Sequence, residues 1–264
     1  MDGTPVQQTQ SADGTVIAFD TAGAGPPLIL VGGALSDRLA AVPLADLLAP
    51  SFAVYTYDRR GRGSSGDTPP YAVEREIEDL AAVIAAAGGS AGVYGHSSGA
   101  VLGLEAVMAG IPITRLAAYE PPYILEGDRP VPPADLAARI GDLVSSGRPG
   151  GAVKAFMAEA VGMAAEMVDG MAASPGWSSM EALAPTLPYD IAIVGVGNTM
   201  PAERLTAIRI PTLALDGGAS PDWARHSVAA LAATIPGARH LSLEGQTHGA
   251  DIKVLAPVLE DFFS

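Results

Sequence analysis

Short runs that are largely apolar on both faces alternate with helical patterns along most of this 264-residue chain, and that alternation limits the folds open to it. Residues 28–31 read Leu-Ile-Leu-Val. Residues 52–57, 91–94, 113–119 and 212–215 repeat the pattern. A strand apolar on both sides is buried on both faces, which calls for a parallel sheet covered by helices. Between these runs, residues 71–87 carry Val73, Ile77, Leu80 and Ile84 at three- and four-residue steps, the spacing of one helix face. Gly88-Gly89 ends that helix. Residues 98–109 are apolar and helical, stopped by Gly110 and Pro112. At the start, residues 6–10 and 15–20 flank Ser11-Ala12-Asp13-Gly14, and the Asp-Gly pair predicts a β-hairpin. The expected fold class is α/β, with a mostly parallel central sheet flanked by helices.

The rhythm breaks near Glu120-Pro121-Pro122. From residue 133 to about 201 the chain reads as short amphipathic helices at 134–144, 152–161, 164–172 and 178–183, separated by glycine and proline. Six of the eight methionines lie in this insert, which shows neither charged clusters nor metal-ligand spacing. The strand–helix pattern resumes at Pro211, with a helix around 223–233, a strand at 239–243 and a last helix to Phe263. Residues 1–122 and 203–264 are thus expected to form one core, interrupted by a helical segment at 123–202.

Composition removes several classes of function. Cysteine is absent, so there is no disulfide framework, thiolate nucleophile or Cys-based metal site. A net charge of −14 repels phosphate backbones and argues against nucleic acid as a partner. The first residues lack the basic and apolar pattern of a signal peptide, and glycines break the most apolar stretch, residues 81–95. No membrane partner, no cofactor and no metal are expected, and a cytoplasmic location is. The oligomeric state is left open.

The strand at 91–94 runs into Gly95-His96-Ser97-Ser98-Gly99, a G-x-S-x-G motif between a predicted strand and an apolar helix. In that setting the motif has a mechanical meaning. The central serine occupies a sharp, strained turn, the glycines let neighbouring backbones pass, and the helix N-terminus favours developing negative charge. Ser97 is the candidate nucleophile.

With this motif in place the chain resembles the α/β-hydrolase superfamily over nearly its whole length. The hairpin, residues 28–33, the segment Asp58-Arg59-Arg60-Gly61-Arg62-Gly63-Ser64-Ser65, the elbow and Gly245-Gln246-Thr247-His248 follow the family's order. The Asp-Arg-Arg-Gly-Arg-Gly-Ser segment resembles the loop after the fourth strand in esterase-like and haloperoxidase-like members. The resemblance implies an α/β-hydrolase fold in which residues 123–202 form a helical cap. It implies that His248, in the loop before the final helix, is the base. It also implies an oxyanion hole built from the N–H groups of Ser98 and Ala34. Of the other histidines, His96 is the variable residue of the elbow, His226 is expected on a helix surface, and His240 in the last strand is expected to be structural.

The acid departs from the family pattern. After the strand at 212–215 the usual aspartate position holds Ser220, which carries no charge to stabilise an imidazolium. Three carboxylates remain. Glu120 ends the strand after the elbow helix, a position similar to that of the acid in some haloalkane dehalogenases. Asp222 is expected to begin the next helix as a cap, and Asp216 ends the penultimate strand. Glu120 is preferred. For the substrate pocket, Gly33, Leu35, Met157 and Trp177 are candidates. The methionines with Phe156, Trp177 and Tyr189 form an apolar ceiling, or else pack the cap helices together. The expected function is cofactor-independent hydrolysis of a small apolar ester, lactone or thioester through an acyl-enzyme. The alternative is a lyase, a cyclase or a ligand-binding protein that uses the same pocket.

Overall fold

The computed structural model describes residues 6–264; residues 1–5, on which the reading of the N-terminal segment partly rests, lie outside them. The chain opens with the hairpin β1 (Gln7–Gln10) and β2 (Val16–Ala22), whose turn is fixed by the Thr15 N–H donating to Asp13 Oδ1 at 2.9 Å. There follow β3 (Pro27–Val31), α1 (Val42–Leu48), β4 (Ala53–Tyr57), α2 (Val73–Ala86), β5 (Ala91–His96), α3 (Ser98–Met108) and β6 (Ile113–Tyr119). Helices α4 (Leu136–Ser145), α5 (Pro149–Ala155), α6 (Ala165–Ala172), α7 (Trp177–Leu183), α8 (Leu187–Val194) and α9 (Ala202–Leu205) come next. The chain ends with β7 (Thr212–Gly217), α10 (Asp222–Thr234), β8 (Arg239–Leu243) and α11 (Ile252–Phe263).

The strands form one sheet in the order β1-β2-β4-β3-β5-β6-β7-β8. Its first two pairings are antiparallel, and every pairing from β4 to β8 is parallel. The strands that read as largely apolar on both faces are the ones buried there. Ile29, Val31, Val93 and Ala118 pack on one side with α2, α3 and α10, while Leu28, Leu30, Tyr94 and Tyr119 pack on the other with α1 and α11. Helix α1 was not visible in the sequence, because two turns are too few to establish a helical period. The parallel order brings the carboxyl ends of β3, β5, β6 and β7 to one edge, where the loops that bear function gather.

Residues 123–202 contain no strand. Helices α4 to α7 match the expected ones to within a few residues, except that the second divides into α5 and a π-helical turn, Phe156–Val161. Helix α8 was missed: the run Leu-Pro-Tyr-Asp-Ile-Ala-Ile-Val shows little amphipathic period, since it is buried nearly all round. These helices enclose an apolar cluster of their own that includes Leu136, Val153, Phe156, Trp177 and Leu187, with Ala34 and Leu35 from the core packed against it. No helix among the described residues is long and apolar enough to cross a membrane.

The loop after β4 holds an unusual load of buried charge. Arg59, Arg60 and Arg62 are each no more than 2% exposed. Arg60 Nε and Nη2 each lie 2.7 Å from the Asp79 carboxylate, and Nη1 lies 3.0 Å from Asp13 in the hairpin turn. Arg60 therefore joins the hairpin to α2. Deleting one partner of a buried ion pair strands the other, at about 3–5 kcal/mol. Arg60→Met is expected to lower unfolding stability by about that amount in urea titration, whereas a loss of under about 1 kcal/mol would mean that Asp79 finds water or another partner.

Candidate active site

The strand β5 ends at His96 and α3 begins at Ser98, which leaves Ser97 alone in the turn, with φ 56° and ψ −122°. Left-handed backbone at a residue with a side chain is strained, and it persists only where the surroundings enforce it. Here the flanking glycines let the chain turn back on itself. A Cβ on Gly95 would stand 2.4 Å from the Gly99 carbonyl oxygen, and one on Gly99 would stand 2.4 Å from that of Val31. The loop after β3 is pressed against the same turn, since a Cβ on Gly33 would lie 3.0 Å from Ser97 Cβ.

Glu120 lies at the end of β6, next to β5 in the sheet, and itself has a left-handed φ of 44°. It is 3% exposed. Its Oε2 lies 2.7 Å from His248 Nδ1. Its Oε1 accepts from the Ser220 hydroxyl at 2.6 Å and the Gly217 N–H at 2.8 Å. Burial pushes the Glu120 carboxyl up, but the hydrogen bonds from His248, Ser220 and Gly217 outweigh it and hold the carboxyl below the usual range. The serine at the usual acid position thus supports a carboxylate that arrives from the neighbouring strand.

The other candidates have different partners. Asp216 is fully buried, with Oδ2 2.5 Å from His240 Nε2 and Oδ1 accepting from Ser242 at 2.7 Å, so it is turned toward the sheet edge and not toward His248. Asp222 is the first residue of α10 and pairs with Arg225 at the surface; the expected cap bond is absent. His226 is exposed and pairs with Asp128 at 3.0 Å.

The loop that carries His248 is tied down from below. Tyr119 Oη donates to the Thr247 carbonyl at 2.6 Å, and His96 Nε2 lies 2.8 Å from the His248 carbonyl oxygen. Burial and the nearby His248 ring push the His96 imidazole down to about 4, so it is neutral at ordinary pH and Nε2–H is the donor. The Ser97 hydroxyl makes no hydrogen bond among the described residues. The N–H groups of Ala34 and Ser98 have no acceptor there either.

A cluster that the sequence did not disclose lies behind those two N–H groups. Asp190 of α8 is buried, and its Oδ1 accepts from Ser98 Oγ at 2.7 Å and Arg59 Nη1 at 2.8 Å. Arg62 Nη2 spans both of its oxygens at 2.9 and 2.8 Å. Burial pushes the Asp190 carboxyl up, but Arg62, Arg59 and Ser98 outweigh it and hold it below the usual range. The expectation that the insert lacks charged clusters is corrected here. The available signal was one aspartate in an otherwise apolar helix.

A cavity of about 220 Å³ opens beside His248 and His96, lined further by Gly33, Leu44, Tyr94 and Tyr119 among others. It lies toward α1 and α11. Of the residues expected to line a pocket, Gly33 is on its wall, whereas Leu35, Met157 and Trp177 belong to the apolar cluster of the helical insert. Trp177 Nε1 donates to Glu181 at 3.0 Å, and Tyr189 stacks on Tyr71 at 3.9 Å. Of the methionines, Met157, Met163, Met171 and Met180 pack in that cluster, so these side chains hold the helices together and do not roof the cavity. No group of three or more potential metal ligands occurs among the described residues.

Comparison with known proteins agrees with this fold. A family profile described as the alpha/beta hydrolase family matches residues 28–251. A crystal structure of an alpha/beta hydrolase from Sphaerobacter thermophilus is 56% identical, covers 98% of this chain and all of that one, and superposes with a TM-score of 0.94. A thermophilic esterase from Thermogutta terrifontis, solved with malate bound, is similar in fold, with 21% identity, a TM-score of 0.73 and coverage of 99% of this chain and 100% of that one. N-formylmaleamate deformylase of Pseudomonas putida is 37% identical over 114 residues, 42% of each chain, so the match spans well under half the length of that relative.

The electrostatics give a pH dependence. A general base accepts a proton only in its unprotonated form, so an activity that depends on one falls as pH drops. Glu120 is held ionised below the usual carboxylate range and His96 titrates near 4, so neither adds a proton in that window. A kcat/KM profile measured from roughly pH 5 to 9 should show an acid limb of unit slope; a limb of slope two would contradict this assignment.

Proposed function

This chain belongs to the alpha/beta hydrolase family, and on that premise we propose that it is a cofactor-independent serine hydrolase that works through Ser97, His248 and Glu120. The observation that carries the proposal is the 2.7 Å contact of Glu120 Oε2 with His248 Nδ1, made beside a serine in a strained elbow. Similarity to an alpha/beta hydrolase and to a deformylase supports a hydrolytic reaction.

The steps follow from the positions of the groups. Ser97 Oγ attacks the carbonyl carbon while its proton passes to His248 Nε2. That transfer requires a hydrogen bond which tightens when substrate is in place. Glu120 holds Nδ1–H, fixes the tautomer and stabilises the imidazolium. The N–H groups of Ala34 and Ser98 receive the oxyanion. The tetrahedral intermediate expels the alcohol or thiol, which takes the proton from His248 and leaves an acyl-enzyme. Water then gives a proton to His248 and its oxygen to the acyl carbon, and Ser97 is regenerated with release of the acid. A carboxylate against His248 supports this reading over a lyase, a cyclase or a ligand-binding protein.

The substrate is proposed to be a small apolar ester, lactone or thioester, and residues 123–202 to act as a cap over the core. A cytoplasmic location belongs to the same reading. The cavity beside His248 supports the substrate class. Its walls are mainly apolar, and at about 220 Å³ it is of the order that holds one ring or a short alkyl group. Ala41 lies on its wall. Ala41→Phe is therefore expected to cut kcat/KM for butyrate or hexanoate esters by about tenfold or more and to spare acetate esters, because filling the space excludes only the longer chain. An equal loss for all chain lengths would place the acyl group elsewhere.

The triad itself is tested by substitution. Glu120→Gln is expected to lower kcat by up to about 10⁴-fold with little change in KM, by analogy with loss of the acid in a serine triad. Asp222→Asn and Asp216→Asn should leave kcat within a few-fold of the parent enzyme. Full activity in Glu120→Gln would remove Glu120 from the mechanism.

A further inference from the structure

Asp190 is the only charged residue of α8, and it reaches out of the helical insert into the core. Its four contacts go to three side chains, those of Ser98, Arg59 and Arg62. Each of these side chains touches one wall of the place assigned above to the oxyanion. Ser98 supplies one N–H. Arg59 Nη1 lies 3.3 Å from the Gly32 carbonyl oxygen, and Arg62 Nη1 donates to the carbonyls of Gly33 at 2.6 Å and Ser36 at 3.1 Å. The loop with the second N–H, that of Ala34, is therefore held on both sides of that residue by guanidinium groups.

Without Asp190 the two arginines are not equally served. Arg59 keeps Glu76, which it grips through Nε and Nη2 at 2.7 and 2.9 Å. Arg62 has no other carboxylate partner among the described residues. A buried guanidinium with no counter-charge moves toward water or another acceptor, and the Gly33 and Ser36 carbonyls would move with it. We propose that Asp190 is a positioning residue for the oxyanion hole, so that the hole is complete only when α8 is docked on the core. The proposal rests on the reading of Ala34 and Ser98 as oxyanion donors.

Electrostatics and positioning predict opposite signs here, which makes the inference sharp. Arg59, Arg62, Glu76 and Asp190 sum to zero charge. Removing the Asp190 charge leaves a net positive cluster beside the oxyanion, which by itself would favour the transition state. A positioning role predicts the reverse, because donors moved by about 1 Å from the oxyanion lose much of their effect, on the order of 10²-fold in rate. A purely structural role lowers stability and leaves the kcat of the folded fraction unchanged.

The test is Asp190→Asn in the full chain, read in two ways. Turnover of p-nitrophenyl butyrate gives kcat and KM, and peptide-level hydrogen exchange reports the backbone at residues 32–36 and 98–100. The expected result is a fall in kcat of roughly 10²-fold with KM within a few-fold, and faster exchange at 32–36. A folded variant whose kcat is unchanged or raised overturns the proposal. If Asp190→Asn does not fold, Ser98→Ala decides. It removes the hydroxyl's bonds to Asp190 and Arg59 and keeps the backbone N–H, so a fall in kcat of about tenfold at constant KM supports the proposal, and unchanged kcat overturns it. Ester turnover in the parent chain with no effect in the variant sinks the clamp and leaves the hydrolase. No turnover in the parent chain, with faster exchange at 32–36 in the variant, sinks the hydrolase reading and keeps the clamp on the loop.

Discussion

Three guanidinium groups buried in one short loop impose a condition on everything packed around them. Arg59, Arg60 and Arg62 follow β4 within five residues, and all three are removed from water. Charge in such a place needs opposite charge and saturated hydrogen bonds. The chain answers with four carboxylates from three separate elements. Asp13 comes from the hairpin turn, Glu76 and Asp79 come from α2, and Asp190 comes from α8. The hairpin, the first long helix and the helical insert are thus drawn onto a single loop. That loop lies against the carbonyls of Gly32 and Gly33, at the edge where the parallel strands end. Docking of the insert and the shape of the β3 loop are in this way parts of one electrostatic arrangement.

The same edge shows how a required charge survives a change of address. The loop after β7 carries Ser220 at the position where the family resemblance leads to the expectation of an aspartate. On the proposed mechanism His248 becomes an imidazolium and needs an anion at Nδ1. Glu120, one strand closer to the elbow, supplies a longer side chain from the end of β6. Its remaining oxygen accepts from the Ser220 hydroxyl and the Gly217 N–H, so the serine at position 220 holds the carboxylate that arrives from β6. The left-handed backbone at Glu120 and the tethers from Tyr119 and His96 to the His248 loop hold this geometry from both partners.

Much of this was legible before any coordinates. Strands largely apolar on both faces, glycine-flanked Ser97 and the Gly-x-x-His loop each carry a local signature, because each is set by burial or by close backbone approach. Glu120 could be ranked above Asp216 and Asp222 from its place at the end of the strand after the elbow helix, where the family resemblance offers an acid, and from its longer side chain. What stayed hidden was long-range. Asp190 and Arg59 are 131 positions apart in the chain, and nothing local in an apolar helix announces an ion pair across that span. The pocket candidates failed for a related reason. Methionine and tryptophan at helical spacing serve an apolar interior as readily as a ligand wall, and here Met157 and Trp177 serve the interior of the insert. The cavity instead uses Ala40 and Ala41 just before α1, Leu44 of α1, Tyr94 of β5 and Tyr119 of β6, whose pattern is that of ordinary core.

The central claim is that Ser97 is an activated nucleophile served by His248 and Glu120. Intact-protein mass spectrometry after brief treatment with a fluorophosphonate reads that property directly, with no need for the natural substrate. The account predicts a single stoichiometric adduct, mapped by peptide sequencing to Ser97 and absent from Ser97→Ala. A folded protein that takes up no label at neutral pH, or that carries its label on another serine, would contradict it.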